Sequence, residues 1–434
     1  MKPTKKTRIG ASVAVAVAAT MLLGACGSGN NASPDGTVTL NFAWWGNDVR
    51  NKATEQVISD FEASHPKIKI AGQPGQWSSY WDKLATVTAA NNAPDVIQMD
   101  QAYIAEYGGR GALLDLSKQS GVDTSKIADS ALKSGQVDGK QYGISTGQNA
   151  YVIMANTKVF KDAGVPLPND KTWTWDDFLN TAAQIAKKLP GNYGASYGAT
   201  DANMNVWLKQ HGQSLFTADG KLGFTTDALT QYYQFLVKQR DMGAGPSASL
   251  NSEDASASVE QTLFGKGKLA MGFWWSNQVT ALTKATKAEI KLLRVPSTTG
   301  NAADNGMYFK PSMFWSTSSR TKHPKEAAEF IDFLANSTDA GKIILTDRGF
   351  PSNTDVQAAI ADKLTPTDKA VGTFLKDITP DVAWTPPVPP VGTGSIGTVI
   401  SRYNDDVLFN RQSPAQAAAA FTAEVQGLLD SGRK

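Results

Sequence analysis

Between Thr37 and Asp100 the apolar positions switch repeatedly between two periods. Val38 to Ala43 reads as a strand, and Trp44-Trp45-Gly46-Asn47-Asp48 follows it as a loop. Ala53, Val57 and Phe61 then recur every fourth residue, which places them on one face of a helix from about Val49 to Ala63. Pro66 closes that helix and Lys67 to Ala71 reads as a second strand. Ser79 with Asp82 three residues on predicts a capping pair opening a helix to about Asn91. Pro94 to Asp100 reads as a third, buried strand. The order βαβαβ predicts a parallel sheet with helices on its faces.

Later segments carry sharper end signals. Thr174 stands at an N-cap with Asp177 three residues on, and Trp173 and Phe178 hold the two positions of a hydrophobic staple. Pro190-Gly191 ends this helix. His323-Pro324 opens another, carrying Phe330, Ile331 and Leu334, since proline suits the first helical position. Ser413, Pro414 and Gln416 open a last helix that stops near Gly432. Pro386-Pro387-Val388-Pro389-Pro390 predicts an extended surface crossover. No internal repeat is present. One core rarely grows past roughly 300 residues, so a chain of 434 predicts two lobes.

The first residues follow a different rule. Lys2, Lys5, Lys6 and Arg8 precede an apolar run from Ile9 to Leu23, which falls short of the roughly 20 residues that a membrane span needs. The run ends in Leu23-Gly24-Ala25-Cys26, small residues before a cysteine, which marks a secretory signal over residues 1–25. The spacing resembles the lipobox of bacterial lipoproteins, which implies that Cys26 becomes a lipidated, palmitate-type N-terminus on the outer face of the cell membrane. Cys26 is the only cysteine, so no intramolecular disulfide forms and lipidation gives the lone thiol a role. Residues 26–36 are rich in Gly, Ser and Asn and read as a flexible tether.

A net charge of +2, with no basic run outside the signal, argues against nucleic acid as partner. Three histidines, at 65, 211 and 323, and no tight acidic cluster argue against a metal site, and no cofactor is expected. The unusual feature is the aromatic content of 11 Trp, 11 Tyr and 17 Phe, much of it in loops that follow strand-like runs.

Several local patterns then occur in a fixed order. They are Trp44-Trp45-Gly46; Phe61 to Ile70 with Pro66 inside; Ala93-Pro94-Asp95-Val96-Ile97; Gly109 to Leu116; Gly139-Lys140-Gln141-Tyr142-Gly143-Ile144; Phe264 to Met271; and Arg348-Gly349-Phe350-Pro351. This set resembles the bacterial extracellular solute-binding proteins of family 1 (cluster B), which include the maltose-binding protein. Ser145 stands where many relatives have proline. The resemblance implies a type II periplasmic-binding-protein fold: two α/β lobes joined by crossover strands, with the ligand in the cleft between them. It assigns residues 37–147 and 309–350 to the N-terminal lobe and 148–308 and 351–434 to the C-terminal lobe. It implies a monomer that delivers a carbohydrate to the transmembrane permease subunits of an ABC importer, by hinge closure and without chemistry on the ligand. The aromatic content favours an oligosaccharide, since each ring wants a platform.

Ligands of open α/β sheets sit beyond the carboxyl ends of strands. Aromatic faces there can cover sugar C–H faces while Asp, Asn, Gln and Arg pair with hydroxyls. The candidates for ligand contact are Trp44, Trp45, Asn47, Gln76, Trp77, Asp100, Gln101, Tyr103, Gln148, Asn149, Trp207, Trp274, Trp275, Asn277, Trp315, Arg348 and Trp384, with one of the tryptophan pair 44 and 45 expected in the core. Asp100 has an alternative role as an N-cap. Three rival readings are weighed, one of them a purely structural cell-wall lipoprotein, which would not need the aromatic loops. The same fold could bind a phosphate ester, peptide or polyamine. A secreted hydrolase would use Gly143-Ile144-Ser145-Thr146-Gly147 as a nucleophile elbow, but Tyr151 to Met154 continues as a strand where the elbow needs a helix. Gly265-Lys266-Gly267-Lys268-Leu269-Ala270 fits a dinucleotide cradle in spacing only, because a strand follows it.

Overall fold

The computed structural model describes residues 36–432 apart from 128, 199 and 383. The expected signal, Cys26 and nearly all of the tether lie outside the described residues.

The first strand, Val38–Trp45, buries alternate residues at its start and both faces at its end. It pairs in parallel with Ile68–Gly75 on one side and Val96–Met99 on the other, from Val38 opposite Ile68 and from Phe42 opposite Val96. The helices Asp48–Ser64 and Trp77–Ala89 make the two crossovers. Phe314–Thr317 then enters antiparallel beside Val96–Met99 and pairs onward with Ile144–Ser145, giving a five-stranded sheet. Its faces are packed separately. Leu40, Phe42 and Trp44 meet Phe61 and Phe330 on one side, while Ala43 and Trp45 meet Tyr80 and Trp81 on the other.

A second sheet runs in the order Ile290–Leu293, Gly147–Asn156, Leu269–Trp275, Tyr193–Ala195, surrounded by a larger core of its own. The helix Trp175–Lys188 covers this sheet and carries the expected capping box, with Thr174 and Asp177 bonded in both directions. Trp173 and Phe178 meet edge-on at 6.0 Å. A second capping box, Thr365 with Asp368, opens Pro366–Ile378.

The two lobes meet along one strand. The first half of Gly147–Asn156 is flanked by Phe309–Pro311 on one side and Phe350–Pro351 on the other, and its second half is the middle of the second sheet. Three crossings lie here within hydrogen-bond reach of each other: Ser312 N donates to Gly147 O at 2.7 Å and Ser352 N to Thr146 O at 3.2 Å. A Cβ on Gly147 would lie 2.6 Å from Phe350 O and 2.8 Å from Arg348 O. The polar residues around the crossings are tied to each other. Arg50 Nε donates to Asp347 Oδ2 at 2.7 Å, Asn277 Nδ2 to Asp347 O at 2.7 Å, and Asn149 Nδ2 to Asn277 Oδ1 at 2.9 Å.

Three local expectations change, and the rejected elbow at Ser145 falls in a strand. The second helix starts at Trp77 with Gln76 at its N-cap, and Ser79 turns its hydroxyl back to the Gln76 carbonyl at 3.4 Å. Packing of Tyr80 and Trp81 against Trp45 outweighs the capping pair. Helix Thr354–Ile360 packs on Thr338–Ile344 and so belongs with the first lobe, past the expected boundary at 351. Ser145 lies buried in a strand with its hydroxyl 3.0 Å from that of Ser352, so no nucleophile elbow exists there. The segment from Pro386 to Pro390 does not run over open surface, as described below.

Gly147→Ala is expected to lower stability by about 1–3 kcal/mol, because the added methyl meets backbone that cannot swing away. Urea unfolding of the variant against the parent measures it.

Candidate functional site: a charged and aromatic cleft

Asp100 follows the buried strand Val96–Met99, where the chain must turn into helix Gln101–Gly109. Its carboxylate caps that helix, accepting from Ala102 N at 2.9 Å. The same carboxylate also takes Lys310 Nζ at 2.9 and 3.2 Å. Both residues are buried. Lys310 stands on a crossing strand, and its ammonium lies 4.6 Å from the centre of the Trp275 ring. From the opposite lobe Asp201 opens helix Asp201–Gln210 behind the N-cap Thr200, whose hydroxyl is 3.1 Å from that of Tyr151. Gln101, Asp201, Asn205, Tyr308 and Lys310 line one pocket, which Pro386, Pro387 and Pro389 complete.

A second carboxylate, Asp201, thus lies near the Asp100–Lys310 ion pair in a poorly solvated place. Burial raises the Asp201 carboxyl above its ordinary value of 3.8, with Lys310 opposing the shift and Asp100 adding to it. Burial likewise pushes the hydroxyls of Tyr308 and Tyr103 well above the usual phenol range, with the same two aspartates adding to the effect. These phenols stay protonated and can donate.

Beside this polar floor the first lobe carries an aromatic cluster. Trp45 lies beneath Trp77, Tyr80 and Trp81 at 5.2, 5.3 and 5.4 Å between ring centres. Tyr103 stacks on Trp81 at 3.7 Å. Trp77 caps the cluster and is 48% exposed, a large apolar face left to water. On the second lobe Trp275 is half-buried against Tyr151 and Tyr308, and Trp384 leans on Tyr308 at 5.2 Å.

The candidates therefore divide. Asp100, Gln101, Tyr103, Trp275 and Trp384 gather at or beside the pocket, with Gln76 and Trp77 exposed next to the aromatic cluster. Trp45 supports Trp77 from below. Gln148 is exposed at the crossing. Others are corrected by packing. Trp44 is 1% exposed, bonded to Asn51 Oδ1, and sits in the core. Trp315 packs edge-on against Phe42 beneath Arg348. Trp207 is enclosed by Trp175, Phe235 and Tyr232. Trp274 alternates to the other face of its strand from Trp275 and packs against Phe264. Arg348 is buried, held by Gln98 and Thr54, and burial pushes its guanidinium down to about 9, with Arg50 adding to the fall. Asn149 and Asn277 spend their side chains on each other and on the crossings. Asn47 caps the first helix and reaches Gln278 of the other lobe at 3.4 Å. Among the described residues no group of three or more acidic, histidine or cysteine side chains could hold a metal ion. None of their helices is long and apolar enough to cross a membrane.

Two lobes, three crossings and a polar pocket flanked by aromatic rings define a two-lobed binding protein. The family model for bacterial extracellular solute-binding proteins matches residues 56–373, and the chain belongs to that family. It is 28% identical to an uncharacterised lipoprotein of Streptomyces antibioticus over 80% of this chain and 77% of that one. It is 24% identical to the diacetylchitobiose-binding protein DasA of Streptomyces coelicolor, covering 85% of this chain and 87% of that one. A periplasmic oligogalacturonide-binding protein from Yersinia enterocolitica, solved with digalacturonic acid, has the same fold, with a TM-score of 0.82 at 20% identity over 92% of this chain and all (100%) of that one.

Asp201, Asn205, Tyr308, Lys310 and the prolines of the pocket were not among the sequence candidates. Thr200-Asp201 carries a helix-start signal, but nothing local says that the helix points at Asp100.

Two outcomes are expected. Lys310→Met leaves the buried Asp100 carboxylate without its partner and should cost about 3–5 kcal/mol in urea unfolding. Because the folded state holds the Asp201 proton more tightly than the unfolded chain, ionised Asp201 costs stability at neutral pH. Asp201→Asn should therefore raise the neutral-pH urea midpoint. That gain should shrink as the pH falls through the raised folded value and vanish below 3.8, where both states are protonated.

Proposed function

We propose that this chain is the substrate-binding lipoprotein of an ABC importer for a carbohydrate, with an oligosaccharide favoured. The observation that carries the reading is the pairing of an exposed aromatic face at Trp77 with the polar floor of Asp100, Asp201 and Lys310. A sugar has apolar C–H faces and a ring of hydroxyls, and such a surface offers a platform for the first and acceptors and donors for the second. The diacetylchitobiose-binding relative and the oligogalacturonide-binding neighbour point the same way. A phosphate ester fits poorly, because the one lysine in the pocket is already bonded to Asp100 and the Asp201 carboxylate lines the site.

In this reading residues 1–25 are removed as a signal. The lipid on Cys26 and the tether hold the protein as a monomer at the outer face of the membrane. Its two lobes close on the ligand around the three crossings, and the closed form delivers it unchanged to the permease. Ligand favours closure only by binding the closed form better. The lipoprotein relative supports the anchor.

The test is thermal unfolding of the full chain in a non-glycosidic detergent against mono- and oligosaccharides, phosphate esters, peptides and polyamines. A saturating ligand at one hundred times its Kd stabilises by about 2.7 kcal/mol, which moves the midpoint measurably. A shift with one saccharide series is expected, with Trp77→Ala binding that series about tenfold more weakly. A shift only with a non-sugar class overturns the carbohydrate assignment.

A further inference from the structure

The proline-rich segment is a wall of the pocket and a bridge between the lobes. It leaves the second lobe after helix Pro366–Ile378 and returns to it as helix Ile396–Leu408, and both helices are packed in the second lobe's core. In between, Trp384 rests on Tyr308, and Thr385 donates to the Phe309 carbonyl at 3.4 Å. Pro386, Pro387 and Pro389 then line the pocket that holds Asp201, Lys310 and Gln101. Val388 packs against the first lobe's aromatic cluster and Val391 lies against Gly109. At the far end Gly392 N donates to the Glu106 carboxylate, on the first-lobe helix Gln101–Gly109. Gly392 has φ +95°, and a Cβ there would lie 2.5 Å from Leu428 O of the last helix. The strap is thus fixed to the first lobe by Glu106 and to the second by the C-terminal helix.

A run of prolines is stiff and, having no N–H groups, offers an arriving sugar no backbone donors. The chain itself therefore passes across the pocket as an apolar wall. We infer that this strap makes the protein read a chain terminus: a saccharide sits with its terminal unit against Pro386 to Pro389 and its hydroxyls on Asp201 and Lys310. An internal stretch of a longer chain, or a ring of sugars with no end, cannot pass through while Glu106 holds the strap. The inference rests on the carbohydrate reading and adds to it the end that is recognised.

The experiment compares linear oligosaccharides of increasing length with a cyclic oligosaccharide of the same units and linkage, by calorimetric titration on the full chain. For the parent protein affinity should stop rising after a short length, and the cyclic ligand should bind at least about tenfold more weakly than the linear one. Glu106→Ala removes the tie and should bring the ratio of linear to cyclic affinity towards one. A second variant with Pro386, Pro387 and Pro389 changed to Gly should do the same without touching the first lobe. Hydrogen exchange at the Gly392 amide should be protected in the parent and fast in Glu106→Ala, which reports the tie itself. If saccharides bind but the cyclic form binds the parent as well as the linear one, the terminus reading is overturned and the carbohydrate reading stands. If no saccharide binds, both fall.

Discussion

Backbone packed against backbone at Gly147 is the constraint on which the rest depends. Three passes of the chain lie side by side there, and the carbonyls of Arg348 and Phe350 approach within 2.8 and 2.6 Å of where a side chain would start. Only a residue without Cβ lets the strand Gly147–Asn156 run through this junction and go on to become the centre of the second sheet. The position of the cleft follows. Ile144–Ser145, just before the junction, belongs to the first sheet, so the two sheets share one continuous stretch of chain with almost no slack between them. Arg50, Asp347, Asn277 and Asn149 then fill the space beside the crossings with bonds of 2.7–2.9 Å that tie the two lobes together.

The electrostatics of the pocket follow from the same geometry. Lys310 comes from a crossing strand, Asp100 from a strand end of the first lobe, and Asp201 from a helix start of the second. Each position is unremarkable alone. Together they put the Asp201 carboxylate near the Asp100–Lys310 ion pair where water is scarce, so a ligand donor that reaches Asp201 replaces hydration that the site lacks. Asp100 is satisfied by Ala102 N and Lys310, whereas Asp201 is the group held above its ordinary value by burial. The pocket is thus uneven: one acid is committed to the ion pair and the helix cap, and the other lines the pocket.

What could be read from the sequence was local. Thr174 and Asp177 announce a helix because the capping bonds lie within four residues, and the βαβαβ order shows because period and turn signals are short-range. The Trp44-Trp45 and Trp274-Trp275 pairs show the limit. Alternation says that one of each pair faces away from the other, but which face becomes core depends on elements far along the chain, here Phe330 for the first pair and Tyr151 with Tyr308 for the second. Trp45 illustrates it further, since it faces the cluster side and is still covered by Trp77 and Trp81. Lys310, Tyr308 and the strap carry no local signature, because the pocket joins segments around residues 101, 201, 308 and 387.

The placement of Phe314–Thr317 between Val96–Met99 and Ile144–Ser145 also governs the order in which the molecule can be built. A chain delivered N-terminus first presents the outer strands of the first sheet long before the strand that fills the gap. Until then Val96–Met99 has an open edge, and the apolar residues that later meet Phe330 have nothing to cover them. Closing that gap means joining segments about two hundred residues apart, a loop whose entropy must be spent before its contacts form. The first sheet therefore cannot be completed until most of the chain is available, and a topology of this kind favours slow closure.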